Sequence, residues 1–160
     1  MPVQNLTTDY TGRQRDICIT PFVNPRKTGG QPMTYTLGKV SSYCAGIQKL
    51  IQRYTIALFT TEGSQKYDPT FGTAFYKQLV ASNVMTVGDL THIFNFANYD
   101  VITLFKDYQN KNPDLPLDEQ LDTAVLDSVN IVGNSVTFSV KIYTRAGDSY
   151  NFFVPVPSQI

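Results

Sequence analysis

The stretch Ile56-Ala-Leu-Phe-Thr-Thr-Glu-Gly63, followed by Tyr67-Asp-Pro-Thr-Phe-Gly72, decides how the chain is read. An apolar periodic segment runs into it and a second one leaves it. Upstream, Tyr43, Ile47, Leu50, Ile51, Tyr54 and Leu58 recur at spacings of three and four, which predicts an amphipathic helix over about 40–60. Ser41 or Ser42 is its expected N-cap, and Gly46 lies inside it at a cost of about 1 kcal/mol relative to Ala. Gly63 fits the left-handed position just past a helix end. Asp68-Pro69 reads as the start of the next helix, with the Asp oxygen capping an orphan N–H and Pro at the first helical position. Phe71, Ala74, Phe75 and Leu79 then face inward, and Ser82-Asn83 ends the segment. Gly63, Asp68, Pro69, Phe71 and Gly72 are thus expected to build a structural corner.

Beyond the corner the most regular stripe in the chain, Leu90, Ile93, Phe94, Ala97, Val101, Leu104, Phe105 and Tyr108, predicts a long helix over about 87–110. Thr86 is its N-cap, and Asp89 favours the positive end of the helix dipole. Residues 113–121 read as a connector. Three β segments follow at 124–132, 135–144 and 149–156, with Gly133-Asn134 and Ala146-Gly147-Asp148 as turns. Val136, Phe138, Val140 and Ile142 alternate with polar residues, as in a half-buried antiparallel strand. Pro155 and Pro157 are expected to end the last strand.

Residues 1–32 read as extended or irregular, because Pro2, Pro21, Pro25 and Pro32 exclude a long helix. Residues 16–20 and 33–37 are short strand candidates. Arg13, Arg15, Arg26 and Lys27 make this arm locally basic, so it either stays solvated or docks on a neighbouring subunit. The expected class is α+β. An extended N-terminal arm (1–38) precedes a single domain (39–160) in which three helices pack on one face of a C-terminal antiparallel meander.

The chain has 160 residues and zero net charge, and only 16% of it is charged, against about 25% in an average soluble chain. A neutral chain does not neutralise phosphates, so nucleic acid is not an expected partner. A weakly charged surface suits a subunit packed in an assembly. No apolar run reaches the ~18 residues of a membrane span, and no secretory signal is visible. Cys18 and Cys44 have no metal-ligand spacing, so reduced thiols are expected, and neither metal nor cofactor.

No catalytic constellation stands out. His92, the only histidine, flanks the stripe of the long helix and reads as structural. Glycoside hydrolysis needs two carboxyls about 5–10 Å apart across a cleft. Glu62 and Asp68 are the one pair near the corner, and Asp68 already has a task as a cap. No enzyme activity is therefore expected.

The spacing Ile56-Ala57-Leu58-x-Thr60-x-x-Gly63, then Pro69-x-Phe71-Gly72 and an apolar helix, resembles the tail-sheath initiator family. These are small baseplate-wedge proteins of contractile-tailed phages, sometimes labelled phage lysozyme-like. The family order of helix end, "P-x-F-G", second helix, long third helix and β meander recurs here from about residue 40 to 156. One feature departs from it. The long helix of the family typically ends in Glu-Pro-Arg, where this chain has Lys111-Asn-Pro-Asp-Leu-Pro116.

The resemblance implies a virion protein, made in the host cytoplasm and present in multiple copies. It would bind baseplate wedge proteins and the base of the tail tube, and would offer a strand platform to the sheath protein. Tyr150, Phe152, Phe153 and Val154 of the last strand are the expected sheath contacts. Alternation sends Phe152 and Phe153 to opposite sides, so both cannot face the chain's own core. Arg13, Arg15, Arg26 and Lys27 are the expected arm contacts. Another tail or neck subunit is the alternative, and a peptidoglycan-cleaving muramidase a more remote one.

Overall fold

Residues 14, 16, 17, 43–81, 86–133 and 135–157 are described by the computed structural model. Strands β1 (Asp16–Ile17) and β2 (Tyr43–Cys44) come first. Helices α1 (Ile47–Phe59), α2 (Phe75–Ala81) and α3 (Val87–Lys111) follow. After a 3-10 turn at Leu117–Glu119 come β3 (Leu121–Val132), β4 (Ser135–Thr144) and β5 (Ser149–Pro157). β1 pairs with β2, and β3, β4 and β5 form an antiparallel sheet in sequence order. This is the expected α+β class, three helices with a C-terminal meander. Arg13, Arg15, Arg26, Lys27, Cys18, Ser41, Ser42 and the candidate strand at 33–37 lie outside the described residues.

The core is one cluster. Ile47, Leu50, Ile51, Tyr54 and Leu58 of α1 and Leu90, Phe94, Ala97, Val101 and Phe105 of α3 meet the inner face of the sheet. That face carries Leu121 and Ala124 from β3, Val136, Phe138, Val140 and Ile142 from β4, and Phe152, Val154 and Val156 from β5. Phe75 of α2 sits edge-on to Phe94 (ring centroids 5.9 Å apart) and to Phe138 (5.5 Å), while Phe94 stacks on Phe138 at 5.3 Å. Those three rings join α2, α3 and β4. Burying each stabilises the fold by roughly 1.5–3 kcal/mol before ring geometry is considered.

Helix α3 begins as its sequence predicts. The Thr86 hydroxyl accepts from the Asp89 backbone N–H at 3.2 Å, and the Asp89 carboxylate accepts from the Thr86 N–H at 3.0 Å. This capping box satisfies two groups that a helix start otherwise leaves open. These hydrogen bonds from Thr86 hold the Asp89 carboxyl below its ordinary range, backbone donor first. A depressed carboxyl contributes stability above its unfolded pKa and loses it as pH falls through the folded one. Thr86→Ala is expected to cost about 1 kcal/mol at neutral pH. The gap to wild type should narrow in acid as Asp89 protonates. Urea unfolding at two pH values checks both; no gap at neutral pH would show that the cap contributes nothing, and an equal gap at each pH that the Asp89 charge adds nothing to it.

Three local expectations are corrected. Gly46 is not inside α1 but is its N-cap, at φ 63° and ψ −144°, which is not helical. Its backbone N–H donates to Glu119 Oε1 at 3.1 Å, so what approaches it is a carboxylate from the 3-10 turn. Gly63 is left-handed (φ 80°), as expected. However, α1 is already closed at Thr60, and the Gly63 N–H reaches Pro69 O at 3.0 Å instead. Asp68-Pro69 does not open α2, which starts at Phe75. The Phe71 N–H closes on Asp68 O at 3.2 Å, making a β-turn with Pro69 at its second position. Gly72 follows at φ 114°, which no helix accommodates.

The corner itself is held by backbone. Thr73 N–H donates to Thr60 O (2.8 Å), Glu62 N–H to Thr73 O (3.2 Å), and the Thr73 hydroxyl to Leu58 O (2.8 Å). The same hydroxyl accepts from the Phe75 N–H at 3.1 Å. One buried threonine thus ties the end of α1 to the start of α2. Leu58 is fully buried and Phe71 packs against the cluster from its rim.

Candidate functional site

The sheet offers an outer face and two long edges, and cross-strand register assigns every residue to a side. Directly opposed residues share a face. Thr123 and Ser149 flank Tyr143, Val125 and Asn151 flank Lys141, and Ser128 and Phe153 flank Ser139. These lie on the face away from the core. Val125, Val132 and Phe153 are half or more exposed there, at 50%, 76% and 51%. The Lys141 ammonium lies 4.9 Å from the Tyr143 ring centre. Ser139, in the middle, is buried and donates to Asp127 Oδ2 at 3.3 Å.

The expected contact residues of β5 divide between the two sides. Phe152 and Val154 are buried in the core, and Tyr150 is partly buried against it. Burial pushes the Tyr150 hydroxyl above its ordinary pKa. Only Phe153 projects outward. β5 runs through Pro155 and ends at Pro157, one residue beyond the expected 149–156.

The reason lies in which groups point outward. At the start of β3 both polar backbone groups of Leu121 face away from β4. Its N–H donates to Gln109 Oε1 (2.8 Å), and its carbonyl accepts from Gln109 Nε2 (3.1 Å). Ala124 O likewise accepts from Asn98 Nδ2 at 2.8 Å. Antiparallel ladders alternate between bonded and non-bonded pairs. With the register fixed, Leu126, Val129 and Ile131 of β3 therefore point their N–H and C=O away from β4. On the other side Ser149, Asn151, Phe153, Pro155 and Pro157 point away from it. Pro155 and Pro157 thus occupy positions whose N–H the ladder never needed.

Two polar residues of α3, unmarked in the apolar stripe, therefore act as a partial fourth strand. Asn98 and Gln109 are buried. The Tyr54 hydroxyl donates to Asn98 Oδ1 at 2.6 Å, which orients the amide toward β3. Burial raises the pKa of that phenol far out of reach. The sequence signal that could have marked them is their position: both fall on the inward side of the α3 stripe, where an amide needs a partner. From Ala124 onward, α3 and β3 flank a groove of about 420 Å³, lined by Thr91, Asn95 and Asn98 on one wall and Ala124, Leu126 and Asp127 on the other.

Two carboxylates stand at the corner. Glu62 and Asp68 are both exposed. Asp68 Oδ1 accepts from the Thr70 hydroxyl at 2.8 Å within its turn. Glu62 faces Asp100 of α3 instead. The Asp100 carboxyl is raised by partial burial first and by Glu62 second. His92 is exposed on α3. Among the described residues no group of three or more His, Cys, Asp or Glu side chains could hold a metal, and no helix is long and apolar enough to cross a membrane. At the end of α3, where the resembled family has Glu-Pro-Arg, Asn112 closes the helix. Its N–H reaches Gln109 O and its side-chain amide Tyr108 O, at 3.1 and 2.9 Å.

No family model and no curated protein matches the chain. Among solved structures, a "putative tail lysozyme" from Geobacter sulfurreducens is similar at 15% identity and a TM-score of 0.44, covering 71% of this chain and 91% of that one.

Proposed function

We propose that the chain is a non-enzymatic structural subunit of a contractile phage tail, a sheath initiator of the baseplate. It would join the wedge proteins and the base of the tail tube to the first sheath ring, in several symmetric copies. The observation that carries this reading is the sheet. It has long, outward-pointing strand edges at both sides and an outer face bearing Val125, Val132 and Phe153 with no helix upon it among the described residues. An edge of unpaired N–H and C=O groups is a template for another chain, and such edges are normally blunted or covered in a free-standing protein. Strand addition supplies main-chain bonds and pockets for alternate side chains. The corner from Ile56 to Gly72 and the order of elements support the same reading, through the resemblance they carry.

The test is seeding. Purified chain mixed with the sheath protein of the same genome is expected to shorten the lag of sheath-ring formation and to remain at one end of the polymer in electron micrographs. Sheath that assembles identically with and without the chain would overturn the proposal. Release of reducing sugar from peptidoglycan at any acidic to neutral pH would overturn its non-enzymatic part. Deleting β5 is not a usable test, because Phe152, Val154 and Val156 would leave the core with it.

A further inference from the structure

We propose that the segment from Gln14 to Ile17 is an exchangeable strap: the seat that holds it on its own chain also takes the same segment from a second copy. The inference needs only two copies within reach of each other and is independent of the assembly reading above.

The seat is built from buried polar groups outside the apolar cluster. Lys49 and Gln52 lie three residues apart on α1, side by side on one face of the helix. Both are buried, Gln52 to 1% exposure. A buried ammonium or amide needs partners, and these two find them in the main chain of a segment 35 residues away in sequence. Lys49 Nζ donates to Gln14 O at 3.4 Å, and Gln52 Nε2 donates to Ile17 O at 2.8 Å. Each donor is aimed from behind. Glu119 Oε2 holds the Lys49 ammonium at 3.0 Å. The Cys44 thiol donates to Gln52 Oε1 at 3.7 Å, which turns the amide nitrogen toward Ile17. β2 completes the seat as a strand partner, with Asp16 opposite Cys44 and Ile17 opposite Tyr43. The non-helical Gly46 turns the chain from β2 into α1 within two residues, so ladder and side-chain donors address the same segment.

What the seat grips is main chain. Ile17 is 61% exposed, and neither Asp16 nor Ile17 belongs to the core cluster. Hydrogen bonds to carbonyls have a modest net value where water competes for the same groups. The strap therefore leaves at lower cost than any element with side chains in the core. The occupant is also matched to a two-residue ladder. Asp16 Oδ1 accepts the Ile17 N–H at 2.8 Å, so that donor asks nothing of the seat. A second copy carries this same Asp-Ile pair. Residues 18–42 join the strap to β2, and a chain of that length can span up to ~80 Å, well beyond the ~30 Å of a small domain. The connection does not oblige the strap to stay on its own body. Every bond lost within one chain is regained on the next, so concentration decides between the two arrangements.

Register supplies the test, because Asp16 lies directly opposite Cys44. The full chain carrying Asp16→Cys, with Cys18→Ser to remove the other thiol, is oxidised with copper phenanthroline and run on a non-reducing gel. In micromolar solution position 16 should bond Cys44 of its own chain and run as a monomer. Held first at ~1 mM, the effective concentration that a short flexible tether sets, the chain should give a disulfide-linked dimer. Peptide mapping should place that bond between position 16 of one copy and Cys44 of the other. Gln52→Leu in the same background should slow both cross-links by about threefold to tenfold. Wild-type copies with and without an affinity tag, mixed at ~1 mM, should co-purify, a readout that needs no substitution. Monomeric cross-links alone at every concentration, a dimer bonded through Cys44 of both copies, no bond to Cys44 at all, or no co-purification would overturn the exchange. An unchanged rate with Gln52→Leu would overturn the seat.

Discussion

Glu119→Ala is expected to lower the stability of the fold by about 3–5 kcal/mol, the scale for breaking a buried ion pair by removing one partner. Glu119 is 5% exposed, in the 3-10 turn between α3 and β3. Its Oε2 lies 3.0 Å from Lys49 Nζ, and its Oε1 accepts the Gly46 N–H. The Lys49 side chain is 11% exposed and has one other acceptor in reach, Gln14 O at 3.4 Å. Truncating the carboxylate leaves an ammonium out of water with a long hydrogen bond, and leaves the N–H of Gly46, the N-cap of α1, without its acceptor. The pair is thus the bolt between the start of α1 and the turn that launches β3. Glu119→Gln keeps an acceptor for Gly46 and should recover part of the loss. Lys49→Met combined with Glu119→Leu removes both charges and should cost far less than the sum of the single changes. Urea unfolding of these three variants, and of Lys49→Met and Glu119→Leu singly, checks the set. A loss below about 1 kcal/mol for Glu119→Ala, or full additivity in the double variant, would show that water already screens the pair.

Gly72→Ala is the second large effect, at about 3 kcal/mol. Two causes combine. The residue sits at φ 114°, a region that L residues rarely enter. An added Cβ would also land on the carbonyl oxygen of Thr60, with Thr60 C and Glu62 N both at 3.0 Å. That carbonyl accepts from Thr73 N–H, so the clash falls on the bond that clips α1 to α2. Nothing nearby can rotate away, because every crowding atom is backbone. Gly63 is the control. It is also left-handed (φ 80°), but nothing lies within 4 Å of its missing Cβ. Gly63→Ala should therefore cost only the conformational part, about 1–2 kcal/mol. Thermal unfolding of the two variants separates crowding from backbone strain. Equal losses would mean that the corner relaxes around the extra methyl.

The corner shows where local sequence stops being informative. Two glycines, an Asp-Pro pair and two apolar periods announce that the chain turns between 60 and 72, and it does. Whether Asp68 caps a helix or closes a β-turn depends on Gly72, whose backbone is pressed against Thr60 across twelve residues of chain. Nothing in the Asp-Pro dipeptide records that pressure. The same applies to β5. Prolines at 155 and 157 read as a strand end, because a ladder cannot pass through proline. The strand passes Pro155 and ends on Pro157, and it can include both because alternation places them on the side that no neighbour uses.

What the chain determines by itself is what short-range chemistry encodes. The stripe and capping box of α3 involve residues three or four apart, and the alternation of β4 involves residues two apart. Both were legible, and with them the α+β class. Only the tertiary structure decided the polar contacts that span the chain: Gly46 and Lys49 with Glu119, Tyr54 with Asn98, and Asn98 and Gln109 with β3. An amide or a buried charge carries no periodic signal, and its partner is fixed only once helices and sheet are packed. Those contacts also set which half of the β3 edge is closed and which is open. The candidate site therefore came into view from the folded chain, through backbone groups whose direction no residue name reveals.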